Sequence, residues 1–187
     1  MPHIAIISSS VRTGRESSKV AAYFYNYISE HKLGSVEIID LKAYDFPIFH
    51  ERLHYLENPP ENLLQYAEKI TNADGVIIVT PEYNGGYPAS LKNAIDVLYK
   101  EWHRKPIAIA TVSNGDFGGT QVITSLVFSL WKIRACLVTA RFPVQNVIES
   151  FDENGVPADK ETTDKRAQHF LEELLWNITA QEKMKEK

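Results

Sequence analysis

Two kinds of segment alternate along the 187-residue chain. Short apolar runs at His3–Ser8, Val36–Asp40, Gly75–Thr80, Pro106–Val112 and Ala135–Ala140 predict strands. "GVIIVT" at Gly75–Thr80 is β-branched and shows no polar alternation, as a strand buried on both faces requires. Between these runs the period changes to that of a helix. Val20, Phe24, Tyr27 and Ile28 mark a helix over about Glu16–His31, and Gly34 can end it in the left-handed conformation. Pro59 and Pro60 open a second helix, with Leu63, Ala67 and Ile70 on one face. Leu91, Ala94, Ile95 and Leu98 stripe a third over Ser90–Trp102. Thr120–Lys132 is helical and apolar on most sides. Asp159–Ala180 closes the chain with Ala167, Phe170, Leu171, Leu174 and Ile178. Leu41–Glu57 contains Pro47, has no steady period and reads as irregular.

Strand and helix alternate five times with no repeat and no linker. That pattern predicts right-handed crossovers and an α/β fold: a parallel sheet with helices on both faces. Residues 1–180 read as a single domain, and "QEKMKEK" at 181–187 as a polar, solvated C-terminal tail. Composition agrees with an ordinary globular protein, at 44% hydrophobic and 24% charged residues. A net charge of -4 argues against a nucleic-acid partner, which needs a basic face. No run approaches the roughly 20 apolar residues of a membrane span. The start "MPHIAIISSS" lacks a basic region before its apolar run and reads as a strand rather than a signal peptide. Cys136, the single cysteine, cannot form an internal disulfide, which fits a cytoplasmic location.

The ligand of an open parallel sheet sits beyond the carboxyl ends of its strands. Three loops are expected there: "SSSVRTGRESS", "PEYNGGYP" and "SNGDFGGT". They hold Gly14, Gly85, Gly86, Gly115, Gly118 and Gly119, six of the nine glycines. One such loop marks only a turn, but three on one edge suggest backbone that approaches a ligand. The first loop offers the hydroxyls of Ser8, Ser9, Ser10, Ser17 and Ser18 and the charges of Arg12 and Arg15, ahead of a helix N-terminus. These suit a phosphate, although a polar loop with a serine cap has the same composition. Neither a Walker loop nor the G-x-G-x-x-G fingerprint is present, so a terminal monophosphate fits better than a pyrophosphate. Tyr83, Tyr87 and Phe117 can lie against a flat ring, and Asn84, Ser113 and Asn114 can meet its edges. A monophosphate joined to a planar heterocycle, as in FMN, matches both halves.

"SSSVRTGRESSKVA" resembles the phosphate loop of the NAD(P)H-dependent FMN reductases. "TPEYNGGYPASLKNAID" closely resembles their P-E-Y-N-x-x-x-P-x-x-L-K-N-x-x-D signature, and "SNGDFGGTQ" their third, glycine-rich loop. The likeness extends over about residues 3–140. It departs at Ser9, where the family commonly has glycine, and in a first loop one residue longer. More than one serine is therefore a candidate for the phosphate. The resemblance implies a flavodoxin-like fold with a five-stranded parallel sheet of order 2-1-3-4-5. It implies a flavoprotein oxidoreductase with FMN as cofactor and NADPH or NADH as electron donor, reducing a quinone, flavin, azo or similar small acceptor by ping-pong hydride transfer. Ser10, Arg12, Ser17 and Ser18 would hold the phosphate. Pro81, Glu82, Tyr83 and Asn84 would border the ring on one side, with Ser113, Gly115, Gly118 and Gly119 on the other.

Flavin chemistry requires no catalytic side chain, and none is assigned. The six histidines show no metal spacing; His50 and His54 only bracket "HERLH" in an aperiodic segment. Cys136 falls on a strand and reads as a structural thiol. A flavodoxin-type electron carrier that binds FMN without nicotinamide is the alternative, and a flavin-free scaffold of the same fold a third. The carrier reading is disfavoured by the mild charge and by the "PEYNGGYP" signature. The apolar excess of Thr120–Lys132, and by resemblance the helix at Ser90–Trp102, suggest a homodimer or homotetramer.

Overall fold

The computed structural model describes residues 1–185. The strands are β1 (His3–Ser8), β2 (Ser35–Asp40), β3 (Gly75–Pro81), β4 (Pro106–Val112) and β5 (Cys136–Val144). The helices are α1 (Ser17–Glu30), α2 (Leu41–Tyr44), α3 (Glu61–Asn72), α4 (Ala89–Asp96), α5 (Val122–Lys132), α6 (Val147–Ser150) and α7 (Lys160–Lys185). All strand pairs are parallel and the order is β2-β1-β3-β4-β5. This is the flavodoxin-like arrangement, and its winding reverses between β1 and β3.

Side chains alternate across the sheet, so each strand feeds two cores. Ile4 and Ile6 of β1 join Val20 and Phe24 of α1 and Phe170 and Leu174 of α7. Ala5 and Ile7 join Leu63 and Tyr66 of α3, Leu91 and Ile95 of α4, and Leu126 of α5. That double burial explains strands with no polar face. Asp159 caps α7 by accepting the Thr162 amide at 3.1 Å.

Some boundaries differ from the sequence reading. Leu41–Glu57 is not wholly irregular, since it holds α2 and a 3-10 turn at Leu53–Tyr55. The helix expected over Ser90–Trp102 ends at Asp96 and resumes as a 3-10 turn at Lys100–Trp102. Its continuation is diverted: buried Trp102 donates its indole N–H to the Ile95 carbonyl at 3.1 Å, and the Tyr99 amide turns to Glu101. β5 runs past Ala140 to Val144. Between Ile107 and Ile109 of β4 its pairing advances from Leu137 to Arg141, a bulge that admits extra residues. As the edge strand it also tolerates Pro143. The expected tail begins as helix, because α7 continues to Lys185; residues 186–187 lie outside the described residues.

Candidate functional site

The three loops meet at the C-terminal edge of the sheet, beside the point where its winding reverses. The first leaves β1 with Ser8, Ser9 and Ser10 buried and enters α1 at buried Ser17. The Ser9 amide donates to the Val79 carbonyl of β3 at 3.1 Å, which holds the loop against the next strand. The hydroxyls of Ser8, Ser9 and Ser17 are fully buried and have no hydrogen-bond partner in the protein. Each would cost about 1–3 kcal/mol if left unpaired. No side chain caps α1, so its first amides add further donors. Unpartnered serine hydroxyls beside helix N-terminal amides form the kind of donor set that a terminal phosphate satisfies. Gly14 makes the turn between them with φ of +66°.

The expected phosphate residues do not all stand alike. Ser10 Oγ lies 2.6 Å from the Tyr83 hydroxyl, and the exposed Arg12 guanidinium sits 5.4 Å from the Tyr83 ring centre. Ser10, Arg12 and Tyr83 therefore form one cluster joining the first and second loops. Ser18 is half-buried and donates to the Arg15 carbonyl at 3.3 Å. Arg15 bonds Asp40, the last residue of β2. Burial alone would raise the Asp40 carboxyl, but hydrogen bonds from Arg15 and the Lys42 amide outweigh it and hold it below the ordinary carboxylate range.

The second loop owes its shape to Asn84-Gly85. Both have positive φ, 53° and 79°, and the amides of Tyr83 and Gly86 donate to each other's carbonyls at 2.8 and 3.1 Å. This is the two-residue reversal that Asn-Gly favours. It projects Asn84 and Gly85 into solvent just beyond Pro81, Glu82 and Tyr83. Glu82 then accepts the Gln121 amide at 3.1 Å and fastens the second loop to the third.

The third loop has an exposed rim and a buried base. Ser113 Oγ donates to the Gly115 carbonyl at 3.0 Å, and Phe117 at the tip is 81% exposed. Gly118 and Gly119 are buried beneath it. A β-carbon on Gly118 would lie 3.1 Å from Pro143 and 3.3 Å from Gln145. One on Gly119 would lie 3.1 Å from the Val112 carbonyl. The chain's own packing thus demands these two glycines, whereas Ser113 and Gly115 face outward.

Two further residues of the signature hold neighbouring segments in place. Ser90 donates to the Ser9 carbonyl at 2.6 Å. Asn93, one turn on, accepts the Phe49 amide at 2.6 Å and donates to the Pro47 carbonyl at 2.9 Å. Helix α4 therefore clips both the first loop and the segment after α2. A groove of about 830 Å³ lies between them, lined by Val11, Phe46, Ile48, Phe49, Ser90 and Asn93 among others. The three-residue spacing of Ser90 and Asn93 was the available signal. Lys92 and Asp96 pair with each other on the helix surface. Among the described residues no group of His, Cys, Asp or Glu has the placement of a metal site, and no helix is long and apolar enough to cross a membrane.

A family model described as NADPH-dependent FMN reductase matches residues 2–148. An NAD(P)H-dependent FMN reductase of Saccharomyces cerevisiae is 36% identical over 132 residues, 63% of this chain and 68% of that protein. A quinone reductase of Pseudomonas putida is 32% identical over 166 residues, 84% of this chain and 85% of that one. The flavoenzyme NAD(P)H:(acceptor) oxidoreductase FerB from Paracoccus denitrificans shares the fold. Its TM-score is 0.80 at 22% identity, over 95% of this chain and 97% of that one.

Proposed function

The chain belongs to the NADPH-dependent FMN reductase family, and we propose that it holds FMN at the three loops and reduces a quinone, flavin or azo acceptor in ping-pong order. It is an oxidoreductase that uses FMN with NAD(P)H. The observation that carries the site is the set of buried, unpartnered hydroxyls of Ser8, Ser9 and Ser17 in the loop that also carries Arg12. They fit a phosphate in number and chemistry.

In this reading the orphan hydroxyls of Ser8, Ser9 and Ser17 bind the phosphate together with Ser10, Ser18 and Arg12, and the α1 amides complete the cradle. Pro81, Glu82, Tyr83 and Asn84 border the ring on one side and Ser113 and Gly115 on the other. Gly118 and Gly119 support that second side from below. The chemistry FMN supplies when bound is two-electron transfer, with hydride taken from NAD(P)H and electrons passed to the acceptor. The chain's part is to orient and to keep access. The small, exposed Asn84, Gly85 and Gly115 leave one open edge, which donor and acceptor would occupy in turn. No side chain is assigned a proton-transfer role, so Cys136 and His103 variants should react within a few-fold of the parent.

Arg12→Ala tests the cradle. It should weaken FMN by about 1.5–3 kcal/mol, the worth of a hydrogen bond to a charged group, and leave riboflavin unchanged. Titration of flavin fluorescence reads both. Equal losses for the two ligands would place Arg12 away from the phosphate.

We also propose a homodimer or homotetramer in a cytoplasmic setting. Helix α5 buries Val122, Leu126 and Leu130, yet leaves Phe128 and Trp131 62% and 63% exposed, with ring centres 5.9 Å apart. Such a pair on one helix face marks a contact surface. Light scattering at micromolar concentration should give at least twice the 21.2 kDa chain mass. A monomer mass would defeat the proposal.

A further inference from the structure

The first loop carries two arginines three residues apart, and the structure gives them opposite tasks. Arg12 is exposed, with its guanidinium over the Tyr83 ring. Arg15 is engaged on two sides. One of its terminal nitrogens donates to the Ser10 carbonyl at 2.8 Å and also to Asp40, and the other donates to the second Asp40 oxygen. Its side chain is only 17% exposed and that of Asp40 33%. Asp40 in turn accepts the Lys42 amide at 3.0 Å, which caps α2 and fixes the carboxylate. Three of the five guanidinium N–H groups are thus given to a carboxylate and a carbonyl, with the fork turned toward Asp40 of β2.

We propose that Arg15 and Asp40 form a latch that positions the phosphate-binding loop, and that Arg15 is not itself a phosphate ligand. The inference rests on the reading of the first loop as the phosphate site. The physical reason lies in the Ser10 carbonyl. A carbonyl pointing into a phosphate cradle repels the anion. Arg15 draws this one toward β2 and leaves the Ser10 hydroxyl and the serine donors to face the ligand. The latch adds to the fastenings made by the bonds from Ser9 to Val79, from Ser90 to Ser9 and between Ser10 and Tyr83. A loop held before binding spends less of its interaction energy on ordering. The planar fork of arginine meets both carboxylate oxygens and the carbonyl in one fixed geometry, which the single ammonium of lysine on its flexible stem does not reproduce.

FMN and riboflavin dissociation constants for the parent, Arg15→Ala, Arg15→Lys, Asp40→Asn and the Arg15→Ala/Asp40→Asn double variant test this. Asp40→Asn retains an oxygen for the Lys42 amide, so α2 keeps its cap. The latch predicts that each single variant weakens FMN by about tenfold, the scale of one charge-assisted bond. It also predicts that the double variant is no worse than the poorer single one, and that riboflavin changes less than about threefold. If Arg15 touched phosphate, Asp40→Asn would release its charge and keep or tighten FMN binding, and Arg15→Lys would retain most of the affinity; either result overturns the latch. Parallel losses for FMN and riboflavin would reduce the pair to general scaffolding and overturn it as well. A parent that binds FMN no better than riboflavin would instead refute the phosphate site itself.

Discussion

Phe24→Ala should lower the free energy of unfolding by about 3–5 kcal/mol, the usual cost of emptying a large aromatic site. Phe24 is fully buried on α1, and its ring centre lies 4.9 Å from that of Phe142, 5.2 Å from that of Phe170 and 5.4 Å from that of Tyr23. The cluster joins α1 to β5 and α7, so the void cannot close by moving one side chain. It also carries the phosphate loop, whose exit is the start of α1. FMN binds only the folded chain in this account. At a free concentration 100 times its dissociation constant it should restore about 2.7 kcal/mol. Urea unfolding with and without FMN checks both figures. A loss below about 1 kcal/mol would mean that the aromatic cluster does not anchor α1.

Gly118→Val should be the second most damaging change, at about 2–5 kcal/mol. Its φ of +60° costs a side-chain-bearing residue about 1–2 kcal/mol, and the added bulk meets Pro143 and Gln145 in a filled space, worth about 1–3 kcal/mol more. The Gly118 carbonyl accepts from buried Thr111 at 2.7 Å, so displacement of the loop also breaks that bond. FMN affinity should fall with it, because Glu82 ties the third loop to the second and displacement of one is passed to the other. Denaturant midpoints and flavin titration read the two effects. A variant with parental stability and parental FMN affinity would show that the loop relaxes freely and lies outside the site.

Much of this was legible in the chain. Strands β1, β3 and β4 were readable because they are buried on both faces and so form nearly continuous apolar runs, while the edge strands β2 and β5 keep polar positions within shorter apolar runs. Helix α1 was readable because its apolar residues face one core only. What escaped depends on contacts distant in sequence. Arg12 and Arg15 look equivalent in "SSSVRTGRESS", and only Asp40, twenty-five positions away, separates a free guanidinium from an engaged one. Gly118 and Gly119 read as ligand-facing glycines, but their tight neighbours are Pro143, Gln145 and Val112 of the adjacent strand ends. Asn84-Gly85 is a local reversal signal and was available within the signature, although its role is geometric rather than chemical. The extension of β5 through Arg141 and Pro143 depends on its place at the edge, which no single-strand pattern reveals.

FMN held at these loops should accept hydride from a nicotinamide and return the electrons to a separate acceptor. Anaerobic rapid mixing of the FMN-loaded protein with NADPH or NADH is the decisive measurement. At least one of the two should bleach the flavin absorbance. After removal of the nicotinamide, a quinone alone should restore it. Persistence of the oxidised spectrum with both donors, in protein shown to contain FMN, would rule out this transfer.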